Sequence, residues 1–208
     1  TTGGLDTVAV RMPADPVALE VIRSAAGFVS APSANTSGRP SPTAAEHVVN
    51  DLDGKIDMVI DGGDVEIGVE STILDMTVSP PMILRPGAVT AEMFEEVIGP
   101  VEIDRTILKA ESGIRPKAPG MKYRHYAPKA RLLIVEGDIR EEILAIRQIA
   151  YAAHRRKRKV GIIATQETLP FYNYGTVKNV GTRENEKTIA RNLYRVLREF
   201  DKEDVQVI

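Results

Sequence analysis

The stretch RLLIVEGDIREEILAIRQIAYAAHRRKRKVGIIAT, residues 131–165, decides the fold class. Its first seven residues, RLLIVEG (131–137), predict a strand. Asp138, with Glu141 three positions on, predicts a helix start, and Ile139, Ile143, Ile146, Ile149 and Ala150 recur at the spacing that lines one helix face. KVGIIAT (159–165) is the continuous apolar run expected of a strand buried on both sides. Strand, helix and strand in succession make a βαβ unit. A strand near TVKNV (176–180), a helix from about Glu184 to Phe200 and a final strand Asp204–Ile208 extend the alternation. The pattern predicts a parallel α/β sheet of Rossmann type.

Upstream, strands and helices are mixed. TVAVRM (7–12) reads as a strand stopped by Pro13. Asp15 and Pro16 then open a helix whose apolar stripe, Ala18, Val21, Ile22, Ala25 and Ala26, ends at Gly27. Phe28–Ala31 reads as a strand leading into the small polar loop SANTSGRPS. Thr43 with Glu46 is a capping-box pair for a helix to Leu52. DMVID (57–61), VESTILD (69–75) and MILR (82–85) predict strands, and Thr90–Ile98 predicts a helix closed by Gly99. From Arg105 to Lys129 no period is sustained and Pro116, Pro119 and Pro128 intervene, so a linker is predicted there.

The 208 residues allow one large domain or two modest ones, at roughly 100–200 residues each. The chain carries 27 Lys+Arg against 29 Asp+Glu, a net charge of −2, which argues against a polybasic coat as a global property. Although 43% of residues are hydrophobic, no apolar run approaches the ~18 residues of a transmembrane helix. A soluble protein without membrane contact is expected. With 0 Cys, disulfide frameworks, thiolate zinc sites and Cys nucleophiles are excluded, and a reducing compartment fits. Thr1 stands where an initiator Met would, so a fragment is expected.

No P-loop, no G-x-G-x-x-G after a strand and no G-x-S-x-G elbow is present. His47, His125 and His154 lie far apart and show no metal-ligand spacing. What remains is a set of hydroxyl and amide side chains with arginines at strand ends. Arg11 closes TVAV and offers a planar fork for a carboxylate; an edge ion pair is the equal alternative. Ser33, Asn35 and Ser37 lie beyond the carboxyl end of a strand, where open α/β sheets bind ligands, although such a loop is more often only a turn. In VESTI (69–73), Ser71 shares a face with Val69 and Ile73, and Thr72 shares the other with Glu70. A hydroxyl among apolar neighbours needs a partner: ligand, backbone or water. Arg85-Pro86-Gly87 repeats the strand-end arginine. MKYRHY (121–126) suits base stacking and phosphate contact, or a linker held by snorkelling side chains. HRRKRK (154–159) ends a helix, where cations complement the dipole; this reading weighs more than an RNA patch.

Together, TVAVRMP (7–13), APSANTSG (31–38), SPTAAEHV (41–48), DGG (61–63), GVESTILD (68–75), LRPG (84–87) and APGMKYRHYAP (118–128) resemble the threonylcarbamoyl-AMP synthases of the two-domain type. Asp15 stands where that pattern suggests His. The resemblance implies an α/β chain: the C-terminal half of a YrdC-like twisted mixed-sheet domain (1–103), a long linker (104–129) and a small Rossmann-like parallel domain (130–208). It implies synthesis of L-threonylcarbamoyladenylate and pyrophosphate from L-threonine, bicarbonate or CO2, and ATP, for threonylcarbamoyladenosine modification of tRNA by downstream threonylcarbamoyl transferase proteins in the cytoplasm. Thr7, Ser33, Asn35, Ser41 and Arg85 would bind ATP, with Tyr123 reaching over the nucleotide, and Arg11, Ala31 and Ser71 would bind threonine. No covalent nucleophile is required. Mg²⁺ would arrive with ATP, with no tightly bound metal held by the protein. The family's basic K-x-R pattern has no match here, which implies a chain truncated at its N-terminus and inactive alone. The chain's stop at a strand implies a second truncation or a natural edge. The competing reading is a double-stranded RNA or tRNA-binding module without catalysis. A carbamoyl transferase is disfavoured, since the zinc-finger and acylphosphatase-like regions expected of one are not matched.

Overall fold

A computed structural model describes residue 4, residues 6–104, residue 107 and residues 127–208. The predicted linker lies almost wholly outside the described residues, as does Tyr123.

In the C-terminal part the alternation is realised. Helix α4 (Ile139–Arg155) is capped by Asp138, whose carboxylate accepts from the Arg140 backbone N–H at 2.9 Å. β4 (Gly161–Thr165) pairs in parallel with β5 (Thr176–Gly181), and α5 (Glu186–Lys202) follows. The predicted strand 131–137 contracts to an edge. Arg131 forms a parallel bridge to Val207, its N–H and that of Leu133 donate to Gln206 and Ile208, and Val207 bridges in turn to Val160. Pairing therefore runs from 131–133 through 206–208 to β4 and β5, all parallel.

Period-two alternation in β4 divides the packing between two faces. Ile162 and Ala164 pack with Ala150 of α4, while Ile163 packs with Val196, Leu197 and Phe200 of α5. Phe200 is fully buried and lies on Gly161, where an added Cβ would stand 2.6 Å from its ring. A side chain at 161 would push the ring out of the core.

In the N-terminal part, α1 (Pro16–Ser24) begins as predicted, with the Ala18 N–H donating to Asp15 at 2.8 Å. α3 (Ala91–Ile98) is capped by Thr90 and closed by Gly99. β1 (Ile73–Asp75) is antiparallel to β2 (Met82–Arg85), and β2 is parallel to β3 (Glu102–Ile103), giving a small mixed sheet. Strand β3 was not predicted, being only two residues long.

Several expectations fail. TVAVRM, Phe28–Ala31 and DMVID are not strands, and VESTILD is a strand only over Ile73–Asp75. An extended segment becomes a strand only when its backbone groups find a neighbour, and no described ladder reaches these three. Val10, Met12 and Phe28 stand out in solvent accordingly. The capping box also fails. α2 (Ala45–Leu52) starts at Ala44 without a side-chain cap, because Thr43 and His47 satisfy each other: the Thr43 N–H donates to His47 Nδ1 at 3.1 Å.

Candidate functional site

Backbone contact comes first. The segment 70–72 enters β1 and the turn after β2 returns against it, so close that a Cβ on Gly87 would stand 2.4 Å from Glu70 O and from Thr72 N. Only glycine permits this approach. It brings the end of β2, with Arg85, alongside Ser71.

Arg85 Nε donates to Ser71 O at 3.0 Å and Nη2 to Ser71 Oγ at 3.2 Å. Arg11 Nη2 donates to the same hydroxyl at 3.0 Å. Glu70 lies 3.4 Å from Arg85 and accepts a short hydrogen bond from Ser41 Oγ. Arg11, Ser41, Glu70, Ser71 and Arg85 thus form one connected cluster from four separate segments. Two guanidinium groups against one carboxylate leave it net positive, and two forks converging on an exposed hydroxyl have the chemistry to receive an anion.

The other residues singled out are less closely joined. Asn35 is held by its own loop, its Nδ2 donating to Thr36 O at 3.0 Å and Arg39 O at 3.2 Å. Its Oδ1 is buried without a hydrogen-bond partner among the described residues, an acceptor that a ligand donor would satisfy. Thr7, Ala31 and Ser33 are exposed, and among the described residues no hydrogen bond or ion pair ties them to the cluster. Glu70 was missed as a candidate. Its alternation with Ser71 placed it on the opposite face of a strand, and the segment is not a strand at that point.

The loop carrying Asn35 and Ser41 is fastened from outside. Asp51 of α2 is buried and takes donors from Thr36 N at 3.1 Å, Arg39 Nη1 at 3.0 Å, Arg198 Nη1 at 3.3 Å and Arg198 Nη2 at 2.8 Å. Burial pushes the Asp51 carboxyl up, but the Arg198 and Thr36 hydrogen bonds, the Arg198 charge and Arg39 outweigh it and bring it down to about 2. His47, also buried, is pushed below its usual value by burial and then by the Arg198 charge, against the opposing pull of Glu46.

A second feature lies elsewhere. A cavity of about 910 Å³ opens at the amino ends of β4 and β5, rimmed by Arg155, Lys157, Arg158 and Lys159 with Glu203 opposite. Beside it, the Tyr174 ring lies 5.3 Å from Tyr151 and 5.2 Å from His154. Among the described residues, no group of three or more His, Cys, Asp or Glu is placed to hold a metal ion. No described helix is long and apolar enough to cross a membrane.

A small mixed sheet beside a cationic, hydroxyl-lined cluster, and a parallel sheet with helices on both faces, define an α/β protein. Comparison with known proteins narrows this class. A family model for the threonylcarbamoyl-AMP synthase C-terminal domain matches residues 89–208, and one described as "Telomere recombination" matches residues 1–87. The threonylcarbamoyl-AMP synthase of Bacillus subtilis is 45% identical over 207 residues, taking in 100% of this chain and 58% of its own length. That of Pyrococcus abyssi is 46% identical over 207 residues, taking in 100% of this chain and 59% of its own. The crystal structure of P. abyssi Sua5 complexed with L-threonine superposes with a TM-score of 0.90 at 45% identity, covering 100% of this chain and 59% of that one. The chain belongs to the threonylcarbamoyl-AMP synthase family. It spans less than two thirds of the length of these relatives, 58% and 59%.

Proposed function

We propose that the protein is an L-threonylcarbamoyladenylate synthase, using L-threonine, bicarbonate or CO2, and ATP, and releasing pyrophosphate. The observation that carries this reading is the convergence of Arg11 and Arg85 on Ser71. Arg11, Ala31 and Ser71 receive threonine, the Arg11 fork taking its carboxylate. Thr7, Ser33, Asn35, Ser41, Arg85 and Tyr123 receive ATP. The threonine amine adds to CO2 with loss of a proton, or to bicarbonate with loss of water, to form a carbamate, whose oxygen attacks the α-phosphorus while pyrophosphate leaves. The residues hold both reactants in line and offset phosphate charge without a covalent intermediate. Mg²⁺ arriving with ATP would supply further charge neutralisation on the phosphates. The working division is 1–103, 104–129 and 130–208, in the cytoplasm, with the adenylate consumed by tRNA-modifying transferase proteins.

The test is calorimetric titration with L-threonine, L-serine and ATP, then pyrophosphate release with bicarbonate, on this chain and on the chain extended at its N-terminus to its relatives' length. Threonine-selective binding and threonine-dependent release are expected. Arg11→Ala is expected to weaken threonine binding about 10- to 100-fold, as fits a lost hydrogen bond to a charged group. Absence of both activities from the extended chain refutes the reading.

A second reading, contact with RNA, is favoured by the cation-rimmed cavity and its neighbouring rings. It expects RNA binding that weakens steeply with salt and falls on Arg155→Ala/Arg158→Ala substitution. Binding indifferent to both removes it.

A further inference from the structure

We propose that Arg198, on α5 of the C-terminal part, is a positioning residue for the loop 36–41, so that nucleotide binding by the N-terminal part depends on a side chain of the C-terminal one. This rests on the reading of that loop as nucleotide-binding.

Four observations converge. Arg198 is only 6% exposed, unusual for an arginine 158 positions from its acceptor, and its Nε donates to Pro40 O at 3.0 Å while Nη2 donates to the same carbonyl. Its other face grips Asp51, which also holds Thr36 and Arg39, so one guanidinium fastens both ends of the loop. Pro40 is fully buried and immediately precedes Ser41, whose hydroxyl enters the cluster through Glu70. Finally, α5 also braces the segment leading to Ser71: a Cβ on Gly68 would stand 2.0 Å from Arg191 O. One helix therefore touches two of the four segments that present cluster residues.

The loop's own ties are few, the Arg39 N–H to Thr36 O at 3.1 Å and the Asn35 amide to Arg39 O at 3.2 Å among them. From outside, the loop is held by the Ala127 N–H to Gly38 O at 3.1 Å, by Asp51 of α2 and, through Pro40 and Asp51, by Arg198 of α5. Arginine suits the task because its fork reaches a carbonyl and a carboxylate at once, whereas lysine offers a single point charge. Pairing with Asp51 keeps the buried cation compensated.

The test uses the protein at its relatives' full length. Removing Arg198 alone would leave the buried Asp51 carboxylate with the half-exposed Arg39 as its ion-pair partner, so the informative variant is Arg198→Met/Asp51→Asn, which removes both charges and the tie together. Arg198→Lys keeps a charge beside Asp51 and loses the fork. Lys202→Ala, which removes an exposed contact from α5 to Glu46, is the control. The double variant is expected to raise the KM for ATP about 10-fold, with the Kd for threonine within about 2-fold and kcat within about 3-fold of the parent. Hydrogen exchange should quicken over residues 33–41 and not over β4 and β5. Arg198→Lys should fall between, and Lys202→Ala should change nothing. An unchanged KM for ATP in either folded variant overturns the proposal, as does an equal loss for both substrates tracking a lowered Tm. If the parent itself releases no pyrophosphate, the functional reading fails, while exchange over 33–41 still reports whether Arg198 orders the loop.

Discussion

Gly87 shows how little room the cluster leaves. Replacement by alanine places a methyl group inside the backbone of 70–72, and the segment must move. Gly87→Ala is expected to weaken both threonine and ATP binding by about 10-fold or more and to lower the Tm by several degrees, read by titration and calorimetry. The sequence made Arg85 and Ser71 legible as candidates, through a strand-end arginine and a hydroxyl among apolar residues. It did not reveal that they touch, because the contact depends on a glycine packing against a distant backbone. Glu70 was illegible for a related reason: alternation assigns faces only where a strand exists.

Elements follow the same division between local and distant causes. α1, α3 and α4 were readable because their start signals are local, as the Asp138 cap illustrates. Asp138→Ala is expected to cost about 1 kcal/mol, measured by urea unfolding with m unchanged. The capping box at Thr43 misled because His47 competes for the same backbone N–H. Strands were readable only where a partner strand lay within reach. β4 and β5 support each other and are sealed by Phe200, so Phe200→Ala is expected to destabilise by about 3–5 kcal/mol, the cost of a large aromatic cavity. TVAVRM has strand chemistry but no described neighbour, and its alternation says nothing about pairing.

At the scale of the whole molecule, two buried titratable groups lie beside the seam formed by α2 and α5. His47 sits below 6.5 when folded, so the unfolded chain binds its proton more readily. Its contribution is present above about pH 6.5 and is lost as pH falls through the folded value. Asp51, lowered from 3.8 to about 2, contributes above about pH 4 and loses roughly 2 kcal/mol as pH falls toward 2. Stability is therefore expected to fall over two pH ranges, below about 6.5 and again below about 4, with Asp51→Asn abolishing the lower loss. The chain has 0 Trp, so amide exchange or circular dichroism is the appropriate readout.

Gly68 and the Arg191 carbonyl carry a consequence for recombination between relatives. A notch with no side chain faces a bare turn of helix, and on the same helix Arg198 meets the buried Asp51. The N-terminal and C-terminal parts are therefore expected to work only as a matched pair. Chimaeras joined downstream of β3 should survive only when the incoming helix brings both the ridge and the cation, so exchange of C-terminal units among homologues is governed by a few seam positions rather than by overall identity.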